Sequence, residues 1–447
     1  MSISPKGRQF FAVVAALLCA ASMWFYVRRI SVPRQVIDGS RLERPRGNLS
    51  DLYPRWLGAR ELLLRGRDPY SREITREIQR GYYGRELDAS RPNDPKDQNG
   101  FAYPVYVVFL LAPFLHMDFA AVRFVAIWVL AGLAAWTVLL WQQTLGIAWP
   151  RWCTLTVAVL LLGSYPFIEA IALQQPILLV AALLAGAFLA RQSGRLFLSG
   201  VLLAVCTIKP QVALLPVILM LLWVSGDWRA RRRWLWGFLA AMVALLSGAE
   251  YVLPGWIPRF YAALRAYQSY MAGTSFLDWL VTPHWSGPVA AVIVLPVLWT
   301  AWKCRRENAD AAESRRTLCL VLTAGVCVAP NLALYNQVLL LPVVLFLYAE
   351  REIDRGGNSA GNSGNSQRAG FLVHMLDRAV VGLVAWPWIA TGILIVARFV
   401  FRAESFVQRA WELPLYATLA LPVVLLVLLL LSPVSTQRTF PLPERLA

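Results

Sequence analysis

Four short polar features interrupt the long apolar runs of this 447-residue chain, and each carries side chains that can do chemistry. They are Asp51-Leu52-Tyr53, Gln174-Gln175, Lys209-Pro210 and Tyr335-Asn336-Gln337. A carboxylate such as Asp51, held at a membrane surface beside Tyr53, can take a proton from a hydroxyl, general-base work contributing ~10²–10⁴ in rate. The plain alternative is an N-cap for the helix that follows. Lys209 is the sharper candidate, because the chain has four lysines and the others, Lys6, Lys96 and Lys303, lie in polar links. An ionisable residue at membrane depth costs ~2.5–3.5 kcal/mol on insertion scales and is functional by default, with snorkelling toward the headgroups as the alternative. Pro210 breaks the helix there and frees backbone carbonyls, opening a recess in which a cation can neutralise a departing phosphate. Arg55 and Arg60, following Asp51, are further cations for that task. The neutral residues Gln174, Gln175, Tyr335 and Asn336 offer donors and acceptors for ligand hydroxyls, although interhelical hydrogen bonding uses such residues equally well.

Membrane helices must position these groups. The chain is 58% hydrophobic and 15% charged, with mean hydropathy +0.52, against roughly 45–50% and 25% for soluble domains. Uncharged apolar runs of about 15 to 23 residues suit hydrocarbon ~30 Å thick, where only helices or closed barrels satisfy the backbone. Continuous rather than alternating hydrophobicity excludes the barrel. The net charge of +17 sits in short arginine clusters between apolar runs, such as 229–233, which is the positive-inside pattern rather than a nucleic-acid surface. Six cysteines lie in or beside apolar runs without metal-ligand spacing, and His116, His284 and His374 are scattered. No phosphate-cradling glycine loop or nucleophile elbow is present, so neither metal nor cofactor is expected.

The fold expected is an all-α polytopic membrane protein. Thirteen apolar segments run from 10–26 to 415–431, the first being read as an uncleaved span after Lys6 and Arg8. Placing the basic links 191–195, 229–233, 303–316 and 351–378 in the cytoplasm makes the later segments alternate and leaves the C-terminus cytoplasmic. Seven segments then separate two loops that must both be external, 27–102 and 254–287, so one segment does not cross. The suspect is 103–115, ~20 Å of helix interrupted by Pro104 and Pro113, which leaves about 12 transmembrane helices. Within the external loop the pattern predicts a helix from about Leu52 to Arg65, stopped by Gly66 and Pro69. Leu52, Trp56, Ala59 and Leu63 share one face with Glu61 and Arg65 opposite, as in a helix lying in the membrane interface. Ser71 can cap a second short helix, and 90–100 reads as a flexible polar link. The aromatics in 254–287, Trp256, Tyr261, Tyr267, Tyr270, Trp279 and Trp285, offer faces for stacking on a sugar ring but read first as an interfacial belt. The Gly/Asn/Ser-rich stretch inside 351–378 reads as a flexible cytoplasmic linker between a body, 1–350, and a two-helix appendage, 379–447.

In their order these motifs resemble glycosyltransferase family 87. The resemblance rests on Asp51 and Tyr53, Gly66-Arg67-Asp68-Pro69-Tyr70, Tyr103-Pro104, Gln175, Ile208-Lys209-Pro210, and Tyr335-Asn336-Gln337 running into Val338-Leu339-Leu340-Leu341-Pro342. Val105 replaces the usual second proline, Gln174 the usual glycine, and Tyr335-Asn336 stands where many relatives have a tryptophan or histidine. The family implies a glycosyltransferase C-like body and an inverting transfer of a hexose, typically mannose, from a polyprenyl-phosphate donor to an external lipid or glycan acceptor. Asp51 is then the catalytic base. Tyr53, Arg55, Arg60, Tyr103, Gln174, Gln175, Lys209, Tyr335 and Asn336 form the expected substrate site, with Lys209 and a nearby arginine on the phosphate. The expected location is a bacterial plasma membrane with the site facing outward, and the expected partners are the two substrates and membrane lipids, without nucleic acid. The rival class is a transporter or flippase of lipid-linked sugars, which needs no base.

Overall fold

The computed structural model describes residues 4–41, 50–88, 90–271, 275–330, 333–356 and 367–432, and every regular element among them is helical. Six helices are long and apolar enough to cross a membrane: Lys6–Arg41, Phe119–Leu145, Trp228–Val252, Pro283–Arg306, Val373–Phe399 and Leu413–Leu431. A seventh crossing is available if Arg151–Leu162 and Tyr165–Ala172, bent by 58° about Gly163 and Ser164, act as one. About twelve were expected. The difference lies in apolar runs that proline, glycine or Lys209 cuts into shorter helices, Val105–Phe114, Ile177–Gln192, Leu196–Ile208 and Pro210–Gly226.

Burial explains how short helices are tolerated. In Ile177–Gln192 the side chains of Ile177, Leu184, Ala185 and Phe188 are essentially inaccessible. Phe119–Leu145 by contrast turns Phe124, Trp128 and Trp136 outward. Long helices thus form the apolar exterior, and broken ones sit where protein satisfies their ends. Val105–Phe114, two 3-10 turns around a four-residue α-helix, spans only ~15 Å and buries Val105, Tyr106, Val107 and Val108. It is too short to cross.

Two boundaries differ from the expectation. The first helix does not end at Tyr26 but continues through a π turn, Val27–Ser31, into Val32–Arg41. The π turn ends at Ser31, two residues before Pro33, which has no N–H to donate. The expected linker 351–378 is helical at both ends, in Leu341–Gly356 and from Gln367 onward, while 357–366 lies outside the described residues. The C-terminal helices are built into the body: Tyr26 donates to the Trp411 carbonyl at 2.6 Å, Trp388 Nε1 to that of Gly163 at 3.0 Å, and Arg316 Nε to that of Leu429 at 3.0 Å.

Small residues set the closest helix contacts. Where Leu196–Val205 crosses Trp228–Val252, a Cβ on Gly200 would lie 2.2 Å from the Trp234 carbonyl oxygen, and one on Gly237 would lie 2.1 Å from that of Phe197. Backbone packs on backbone, as small residues allow between membrane helices. At the end carrying the basic links, buried arginines donate to carbonyls left open at helix termini and in the turn before Ala312–Cys327. Arg231 reaches those of Trp223 at 2.8 Å and Arg305 at 2.6 Å, Arg191 that of Ala309 at 3.0 Å, and Arg315 that of Leu145 at 2.6 Å. Ile177–Gln192 and Pro210–Gly226, ~25 Å long, connect this end to Gln175 and Lys209 at the other.

Candidate active site

The helix Leu52–Arg65 ends as expected at Gly66, whose φ of 65° is the left-handed conformation that closes helices. Ser71 caps Arg72–Tyr83 through the Ile74 N–H. The first helix is not an exposed interfacial one, however. Arg55, Trp56, Ala59 and Glu61 are all buried, and Glu61 takes Arg65 at 2.9 Å and Arg67 at 2.6 Å. A carboxylate with two guanidinium partners can be buried on the face assigned to water.

Asp51 does not cap this helix with its side chain. Its N–H donates to the Leu173 carbonyl at 3.0 Å, and its carboxylate accepts from the Gln175 amide. Gln174 holds the turn that makes this possible. It adopts φ 47°, rare without glycine, and its side chain accepts from Ser50 Oγ at 2.7 Å while donating to the Ile171 carbonyl at 2.5 Å. Burial pushes the Asp51 carboxyl above the usual range; Arg55 and Lys209 pull it back, Asp97 adds to the rise, and the Gln175 bond opposes it.

Lys209 stands between the 3-10 turn Cys206–Ile208 and the helix Pro210–Gly226, and it is 5% exposed. Its ammonium donates to Asn336 Oδ1 at 2.9 Å and lies 4.7 Å from the Tyr335 ring centre. The snorkelling alternative fails, because the group points into protein. Arg55 follows Asp51 by four residues, so both share a helix face. Its guanidinium stacks 4.0 Å over Tyr103 and touches the Tyr103 hydroxyl, while its buried Nε and Nη1 have no partner among the described residues.

These groups surround one cavity of about 540 Å³. Asp51, Tyr103, Gln175, Lys209 and Tyr335 line it directly, with Arg55 behind Tyr103 and Asn336 behind Lys209. Three expected residues do not join them: Gln174, whose side chain is spent on Ser50 and the Ile171 carbonyl, and Tyr53 and Arg60. Tyr53 packs on Phe119 with ring centres 4.9 Å apart and presses its hydroxyl against Gly81, and Arg60 lies 5.3 Å over Trp56. Nine residues from Asp51 is half a turn out of phase, so Arg60 points away where Arg55 points in.

The cavity also holds residues missed in the sequence, Asp97, Asn99, Gln211, Gln268 and Asp278, together with Tyr267, one of the aromatics read first as a belt. Asp97 and Asn99 belong to the link expected to be flexible. That link is pinned by Gln79 Nε2 donating to the Gln98 carbonyl at 2.9 Å and by Arg85, whose pairing holds the Asp94 carboxyl down at about 2. The only available signal was the polar density of Asp97-Gln98-Asn99 just before Tyr103-Pro104, which composition reads as loop. A second cavity of about 690 Å³, almost wholly apolar, lies between the bent helix pair, Leu341–Gly356 and the C-terminal helices, with Gln337 on its wall. Among the described residues no three His, Cys, Asp or Glu side chains gather as a metal site.

A family model described as glycosyltransferase family 87 matches residues 101–330, just over half the chain. The matched part contains Tyr103, Gln174, Gln175 and Lys209, while Asp51, Arg55, Tyr335 and Asn336 lie outside it. No curated protein and no solved structure matches the chain. An all-helical chain with at least six apolar helices of membrane-crossing length, matched over that extent, belongs to glycosyltransferase family 87 and is a membrane glycosyltransferase.

Proposed function

We propose that this enzyme moves a hexose, mannose by analogy with the family, from a polyprenyl-phosphate donor to an acceptor hydroxyl on the external face of a bacterial plasma membrane. One observation carries the reading: a single cavity brings the Asp51 carboxylate, held by Gln175, together with the buried Lys209 ammonium, and the Arg55 guanidinium, with two nitrogens open among the described residues, lies behind its Tyr103 wall. A buried cation with open N–H groups is costly until an anion arrives. The donor phosphate satisfies it.

In the reaction the acceptor oxygen attacks C1 of the donor sugar on the face opposite the phosphate, as inversion requires. Its proton passes to Asp51. The C1–O bond to phosphate breaks, its electron pair leaves with the phosphate, and Lys209 and Arg55 stabilise the developing charge. The products are the new glycoside and polyprenyl phosphate, after which Asp51 returns its proton to water. The apolar cavity beside Gln337 supports a lipid-linked donor, since it offers an isoprenoid chain an apolar pocket between the helices.

Membranes containing the protein, supplied with labelled polyprenyl-phosphate mannose, glucose and galactose, test this. Transfer from one donor, abolished by Lys209→Met and partly retained by Lys209→Arg, is expected. Facilitated movement of lipid-linked sugar across the bilayer without transfer would replace the enzyme reading with the transporter.

A further inference from the structure

We propose that Asp97, together with the Asn99 amide, grips a pair of hydroxyls on the acceptor, so that the group entering the cavity is a neutral sugar rather than an anionic headgroup. This deepens the reading above and rests on it.

The cavity is divided in chemistry. Lys209 is the cation that lines the cavity and takes the donor phosphate, whereas Asp97 adds a second acid to the same wall. It lines the cavity partly shielded from solvent. Among the described residues it has no ion pair, and its Oδ1 accepts the Asn99 N–H at 2.8 Å. Burial raises its carboxyl above the usual range, partly offset by that bond.

Asn99 supplies an independent observation. It holds φ 53°, and its side-chain nitrogen is shut off from solvent without a partner among the described residues, although it lines the same cavity. A buried amide donor left open beside a carboxylate that lacks a cation offers one donor and a free acceptor oxygen within one turn of chain. Adjacent sugar hydroxyls, which both donate and accept, match that pair. Phe260 and Tyr267 on the cavity wall provide faces for a sugar ring. A phosphate or carboxylate on the reacting part of the acceptor would meet Asp97 with like charge.

The test uses the full-length protein in detergent, donor at saturation, and two acceptor probes: an octyl hexoside and the same glycoside bearing a phosphate on the sugar. The wild type is expected to glycosylate the neutral probe only. Asp97→Asn keeps the acceptor oxygen that Asn99 bonds, and should raise KM for the neutral probe about tenfold or more with kcat within about threefold. Asp97→Glu should recover part of the loss. The elution profile, melting temperature and donor binding of Asp97→Asn report that the variant is folded and keeps the donor site. An unchanged KM in Asp97→Asn, use of the phosphorylated probe by the wild type, or joint loss of donor binding and transfer would each overturn the role of Asp97. Absence of transfer to either probe in the wild type would instead overturn the transferase reading beneath it.

Discussion

Asp51 is placed where ionisation is disfavoured, and this has separable consequences for rate and for stability. Its folded carboxyl titrates above the unfolded value near 3.8, so the protonated form is the one the fold prefers. The stability it contributes is present below the unfolded pKa and is lost as pH rises through the folded one. Activity has the opposite sign, because the base must be ionised: the acid limb of the kcat/KM profile should lie above pH ~4. Arg55 is the strongest group pulling that carboxyl down, so Arg55→Met should move the acid limb to higher pH, measured by transfer rates from pH 4 to 8. A limb that stays in place would detach Arg55 from the base. At this scale much of the site was legible. Asp51, Gln175, Lys209 and Tyr335 stand out because polar residues inside apolar runs need a reason, and helical phase alone separates Arg55 from Arg60. Asp97 was not legible, since its placement depends on Gln79 and Arg85 fastening a loop that carries no periodicity of its own.

Between elements, the crossing of Leu196–Val205 over Trp228–Val252 holds the segment leading to Lys209. A side chain at Gly200 or Gly237 would collide with carbonyl oxygens, which cannot rotate aside as a flexible side chain does. Gly200→Val should therefore destabilise by at least ~1–3 kcal/mol and weaken transfer by displacing Lys209. Thermal unfolding in detergent checks this, with Gly132→Ala on Phe119–Leu145, where no atom lies within 4 Å of the new Cβ, as the near-neutral comparison. Equal melting of the two variants would contradict the role of the crossing. Apolar length identified the peripheral helices, because lipid demands unbroken hydrogen-bonded segments. It overcounted in the centre, where Pro176, Lys209 and Pro210 divide runs into pieces that survive only by mutual burial. The run 10–26 marked only part of the first helix, because hydropathy drops at Arg28 and Arg29 while the backbone continues through a π turn into Val32–Arg41.

Across the whole molecule, the cavity and the arginine-bonded carbonyls occupy opposite ends of Ile177–Gln192 and Pro210–Gly226. The proposed orientation puts the arginine end in the cytoplasm and the cavity outside. Accessibility tags in 229–233 should report the cytoplasm and tags in 90–100 the exterior, and tags found on one side would remove the orientation. Buried arginines bonded to several carbonyls also tie the far end shut, which suits a site entered from one face better than an alternating path. The transferase account nevertheless stands or falls on Asp51. Asn keeps its size, and the Asp51 side chain makes no capping bond to lose. Replacing a carboxylate whose ionisation is opposed by burial should leave the melting temperature at neutral pH unchanged or raised. The decisive measurement is single-turnover transfer from a polyprenyl-phosphate sugar by Asp51→Asn, with its elution profile and donor binding as controls. The account predicts a folded protein that binds donor and turns over ~10²–10⁴-fold more slowly; near-normal turnover by that folded variant would contradict it.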